Sequence, residues 1–81
     1  MYEVYKLRDA RGDLRYWAIC PEHVAKWGRD GNRLEINKND SGSAAVQWHK
    51  KELEDCQAHG VIVEGMGEAA TREAAEELMT W

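Results

Sequence analysis

The sequence predicts an α+β fold: one small domain, a mostly antiparallel sheet of four to five strands packed against one main helix, with a second helix at the C-terminus. Three observations lead there. The first 38 residues consist of short segments in which polar and apolar residues alternate, separated by glycine-bearing turns. Residues 43–59 switch to helical spacing of apolar side chains. The chain has 81 residues, of which 43% are hydrophobic, so residues 1–81 form one domain around one core. A chain this short buries only about 60–65% of its unfolded surface.

The predicted order is β-β-β-β-α-β-α. Tyr2 to Leu7 alternates and reads as a strand. Asp9-Ala10-Arg11-Gly12-Asp13 is a turn, with Gly12 free to take positive φ. Leu14 to Cys20, rich in aromatic and branched residues, pairs back as a hairpin, and Pro21 breaks its ladder. His23 to Trp27 is a third strand, Gly28 to Asn32 a second turn, and Arg33 to Asn37 a fourth strand. Residues 39–43 are polar and offer N-cap side chains to a helix from about Ser43 to His59. Ala45, His49, Leu53 and Cys56 form its apolar stripe, with Val46 and Trp48 beside it, and Gly60 is its terminating glycine. Val61 to Glu64 is a fifth strand and Gly65-Met66-Gly67 a flexible joint. Thr71 caps a last helix whose stripe is Ala70, Ala74, Leu78 and Trp81. Short turns cannot make parallel crossovers, so the sheet is mostly antiparallel.

Eleven Lys and Arg stand against fifteen Asp and Glu, a net charge of −4. That average joins two unlike regions. Residues 1–38 carry eight basic and six acidic side chains; residues 39–81 carry three and nine. The first is a mildly basic strand region, the second an acidic helix-strand-helix region. A generic polycation is excluded. No apolar run approaches the roughly 18–20 residues of a membrane span, and Met1 to Lys6 lacks the basic-then-apolar pattern of a secretion signal. The expectation is a cytoplasmic protein without membrane attachment.

Lys26-Trp27-Gly28-Arg29-Asp30-Gly31 is similar to the signature of the WGR domain, a small module of poly(ADP-ribose) polymerases and of standalone bacterial proteins. The likeness covers residues 2–64. It includes the opening strand Tyr2-Glu3-Val4-Tyr5, the aromatic strand Arg15-Tyr16-Trp17-Ala18-Ile19, and a helix running from Ser43-Ala44-Ala45 through Lys50-Lys51-Glu52-Leu53 to His59-Gly60-Val61. Asn32-Arg33-Leu34 stands where the family has a glycine-glutamine pair, Val61 replaces an aromatic, and the helix from Thr71 is additional. The resemblance implies a nucleic-acid-binding module, with Trp27 and Arg29 against a DNA end or sugar-phosphate backbone. The residue types suit that role: an indole stacks on a base or ribose, and a guanidinium takes a phosphate in bidentate fashion. Trp27, Gly28, Arg29, Lys26 and Arg33 are the candidate nucleic-acid-binding residues, with Arg8, Arg11 and Arg15 on the neighbouring hairpin.

Other chemistry is sparse. Cys20-x-x-His23 and Cys56-x-x-His59 have the donor types and spacing of a structural zinc site, but scattered placement explains them equally well, and no metal or other cofactor is expected. No phosphate-binding glycine loop and no paired catalytic carboxylates are found, so the expectation is a protein without enzymatic activity. The alternative reading is a small acidic protein-interaction factor, such as a phage-encoded inhibitor of a host defence complex (anti-CRISPR-like). It would bind through Glu68, Glu73, Glu76 and Glu77. Aromatic strands at a sheet edge leave room for a dimer.

Overall fold

A computed structural model describes residues 1–21, 23–30 and 32–80, with the side chains of 23, 29, 30, 32–41 and 43 outside the description. The elements are β1 (Tyr2–Arg8), β2 (Leu14–Ile19), β3 (His23–Asp30), β4 (Asn32–Ser41), α1 (Ser43–Ala58), β5 (Ile62–Ala69) and α2 (Arg72–Glu77). This is the order read from the sequence. The five strands form one sheet in the order β4-β3-β2-β1-β5, and every neighbouring pair is antiparallel.

Strand alternation sends successive side chains to opposite faces, and both faces are covered. On one face Val4, Tyr16, Ala18, Ala25 and Trp27 pack with Ala69, Ala75 and Met79, beneath α2. On the other Leu7, Trp17, Ile19 and Val24 pack with Val46 and Leu53 of α1. Along β2, Tyr16 and Ala18 face α2 whereas Trp17 and Ile19 face α1. A strand buried on both sides needs a continuous apolar run, which is what Tyr16 to Cys20 supplies.

Several expectations change. The Gly65-Met66-Gly67 stretch is not a joint: it lies within β5, where Val4 pairs with Gly67 and Tyr5 with Gly65, leaving Met66 as a bulge packed against the α2-side core. Two glycines in a strand mark such a bulge. The N-cap of α1 is a glycine rather than one of the polar side chains expected over 39–43. Strand β4 extends to Ser41, and the N-cap is Gly42 at φ 101° without a capping side chain. The turn expected over 28–32 shrinks because β3 extends to Asp30 and β4 begins at Asn32; Gly31 lies outside the described residues. The α1 stripe holds, with His49 and Leu53 buried and Ala45 and Cys56 half-buried; Val46 joins the core and Trp48 points outward. The stripe of α2 shifts. Thr71 is the N-cap and accepts the Ala74 amide at 3.1 Å, so Ala70 precedes the helix and is exposed. Ala74 and Leu78 of the expected stripe are half-buried against the core, and Ala75 and Met79 are buried beside them; Trp81 lies outside the described residues.

Candidate nucleic-acid interface

The residues of the WGR-like signature part company in the sheet. Trp27 faces α2 and is 4% exposed, with the Arg72 guanidinium 5.3 Å from its ring centroid. Its indole is part of the packing between sheet and α2. Gly28 beside it is buried and pairs with Arg15 of β2. Lys26, one residue earlier, belongs to the opposite face. Its ammonium lies 3.9 Å from the Trp17 ring and 3.3 Å from Glu52 Oε1 on α1. The same carboxylate oxygen approaches His49 Nδ1, and His49 meets Trp17 edge-on at 6.0 Å between centroids. Trp17, Lys26, His49 and Glu52 therefore make one polar cluster that pins α1 to the sheet. No local sequence signal marks it, because Lys26 and Glu52 meet only across the fold.

Register places the arginines more tightly than the sequence does. Arg8 ends β1 opposite Leu14, and Arg15 pairs with Leu7 on one side and Gly28 on the other. Arg29 follows Gly28 and pairs with Arg33 on β4. Arg11 occupies the turn between β1 and β2. Five of the six arginines of the chain thus fall at one end of the sheet. Four adjacent strands carry them, so the row from β1 to β4 spans about 14 Å at the usual 4.8 Å strand spacing. The side chains of Arg29 and Arg33 lie outside the described residues.

Arg8 and Arg15 are exposed. Beside Arg8 a groove of about 250 Å³ is lined by Lys6, Arg8, Ile62 and Glu64. Lys6 also reaches Thr80 Oγ1 at 3.5 Å. Acids temper this end. Arg11 pairs with Asp13 at 3.4 Å and Asp9 at 3.8 Å, and Glu64 is the register partner of Lys6. Desolvation opposes ionisation of Asp9, but the backbone N–H groups of Asp13 and Arg11 and the Arg11 guanidinium outweigh it. They hold the carboxyl below its ordinary value. Asp9 is therefore a fixed anion that organises the turn rather than a group that titrates near neutrality.

The acidic set separates in the same way. Glu68 is the register partner of Glu3, on the α1 side of the sheet. Glu73, Glu76 and Glu77 ride on α2 on the other side, with Glu76 Oε1 3.7 Å from Arg72 Nε. The four do not form one surface. The two Cys-x-x-His pairs lie at opposite ends of the sheet. Cys20 lines a cavity with Glu3 and Val46, and Cys56 lies beside Leu7, Trp17 and Val61. His59 Nδ1 is 2.7 Å from the Asp55 carbonyl oxygen. The side chain of His23 is outside the described residues, and among the described residues no three metal-binding side chains come together. Among them, too, no helix is long and apolar enough to cross a membrane. No family model, no curated protein and no solved structure matches the chain.

Proposed function

We propose that the chain is a non-catalytic module that binds nucleic acid through the arginine-bearing end of its sheet. The observation that carries the reading is the convergence of Arg8, Arg11, Arg15, Arg29 and Arg33 on that end by strand register. A guanidinium takes a phosphate in bidentate fashion; Arg8 lies on the α2 face with Lys6 and Arg15 on the α1 face beside Trp17, so in this reading the nucleic-acid backbone lies across this end of the sheet rather than on one face. This moves the contact from where the signature alone suggests. Trp27 supports the strand that presents Arg29, and Lys26 holds α1, so neither is a contact in this reading.

The test is fluorescence anisotropy with a labelled DNA duplex at about 50 mM salt, where phosphate contacts are strongest. The expected result is saturable binding that falls sharply in the Arg8→Ala/Arg15→Ala double variant. Both side chains are exposed, so the variant keeps its fold. Failure of the unaltered protein to bind, or an unchanged affinity in the double variant, refutes the reading. A pull-down with and without nuclease treatment separates it from the protein-interaction alternative.

A further inference from the structure

Strand β5 is an open edge of the sheet. It pairs with β1 on one side, and among the described residues no strand pairs with its other side. Ile62–Ala69 therefore presents a row of backbone N–H and C=O groups outward, over about 27 Å at the usual rise. The strand has none of the proline or lysine that commonly guards an edge, and Ile62 is 65% exposed. The contacts of each residue fix the face it belongs to. Val63 packs with the α1-side core, and Glu68 lines a cavity there with Ile19 and Val46. Gly65 belongs to the same face, since it pairs with Tyr5 of that core. Ile62 and Glu64 share the α2 side with Lys6. Met66 and Ala69 pack on that side too, and a Cβ on Gly67 would point at Leu78. Met66 and Gly67 thus occupy one position of the alternation, which is the bulge.

We infer that β5 pairs antiparallel with β5 of a second copy of the chain, about a two-fold axis through Gly65, joining the two five-stranded sheets into one. The pattern of the strand carries this. A two-fold pair of edge strands must set each residue opposite one from the same face. With the bulge counted as one position, the full-length register does so throughout. Ile62 meets Ala69 and Glu64 meets the Met66-Gly67 bulge on the α2 side. Val63 meets Glu68 on the α1 side, and Gly65 meets itself. Neither acid faces an acid. A slip by two positions in one direction sets Glu64 against Glu64, and like charges directly opposite are destabilising. The acids that oppose this slip leave the full-length register open. Gly65 suits the axis because a Cβ built there meets nothing within 4 Å. The pairing does not depend on the nucleic-acid reading. Arg8 is the register partner of Ile62, so antiparallel pairing carries the two arginine ends to opposite ends of the joined sheet.

The experiment is sedimentation equilibrium of the full chain from about 5 to 500 µM, a range that brackets the micromolar affinity expected of one small strand–strand interface. The mass is expected to rise from 9.3 kDa toward twice that value. Gly65→Glu and Gly65→Lys each set like charges on the axis and are each expected to weaken association about fivefold. An equimolar mixture of the two proteins is expected to restore it. A Cβ at this position meets no neighbour within the chain, so both variants keep the fold, and rescue in the mixture separates lost pairing from misfolding. Gly65→Cys is expected to form a disulfide between the two copies of position 65 under mild oxidation. Ile62→Cys, about 20 Å from its copy in this register, is not. Peptide mapping locates the bridge, because Cys20 and Cys56 are also thiols. A chain that stays monomeric at about 500 µM leaves the edge to a different strand and overturns the assignment. So does a dimer that Gly65→Glu and Gly65→Lys leave unchanged, or one in which Ile62→Cys cross-links as readily as Gly65→Cys.

Discussion

At the scale of single residues, two side chains of the signature have structural work that sets what their substitution reports. Trp27 is buried in the core shared with α2. Trp27→Ala is expected to cost about 3–5 kcal/mol, a large part of the roughly 4–12 kcal/mol available to a domain of this size. Loss of binding in that variant would report unfolding, and chemical denaturation followed by fluorescence measures the cost directly. Lys26 and His49 both lean on the Glu52 carboxylate. Removing that acceptor leaves the Lys26 ammonium, 13% exposed at the side chain, without its counter-ion against the Trp17 ring. Glu52→Ala is therefore expected to destabilise the fold by about 1–3 kcal/mol. Lys26→Met, which removes the charge and keeps the aliphatic packing, should cost less. The reverse ranking in urea unfolding would mean that the cluster does not hold α1.

At the scale of elements, α2 is the part whose docking the sequence left least legible. Six residues are too few for a helix to persist by itself, so it is held by its cap and by contacts with the sheet, the Arg72 guanidinium over Trp27 among them. Thr71 caps its first turn. Ala75 and Met79 enter the core. The Tyr16 hydroxyl donates to the Thr80 carbonyl oxygen at 2.7 Å and accepts the Thr80 amide at 3.1 Å. Thr71→Ala is expected to cost about 0.5–2 kcal/mol, and Tyr16→Phe about 1–2 kcal/mol through the two lost hydrogen bonds. Both should speed hydrogen exchange at Ala74 and Ala75 while the β2 amides stay protected. The strands were readable because alternation and glycine turns are local signals. The same holds for the α1 stripe and for Thr71. The stripe of α2 is legible only in part: Ala74 and Leu78 pack against the core, but periodicity in a short helix does not show that Ala75 and Met79 sit deepest, which a long-range partner, Tyr16, helps to decide. The bulge at Met66 is not legible for a similar reason, since only pairing with Val4 and Tyr5 shows that the chain stays in the sheet.

At the scale of the whole molecule, the candidate site was half legible. Arg29 and Arg33 were visible beside one turn, and Arg8, Arg11 and Arg15 beside another. What the sequence could not supply was the β2–β3 register that sets both turns at one end. Trp27 and Lys26 entered the set through the signature, but alternation along β3 sends them to opposite faces. The result is a chain of net charge −4 whose arginines, Arg72 apart, are gathered at one end. Glu73 and Glu77 lie on α2, and the Glu3–Glu68 pair lies at the far end. Such a distribution orients an approaching polyanion, because the rest of the surface repels it. Contact with about three to four phosphates gives a slope of log affinity on log salt near −3. Raising salt from about 50 to 200 mM should then weaken duplex binding by roughly 40- to 150-fold. The Arg8→Ala/Arg15→Ala variant should show a slope shallower by up to about two units. Anisotropy titrations at four salt concentrations give both numbers. A slope near zero, or one that the double variant leaves unchanged, would place the contact away from the arginine end. A steep slope that flattens in the double variant ties the affinity to the end of the sheet where the β1–β2 and β3–β4 connections lie.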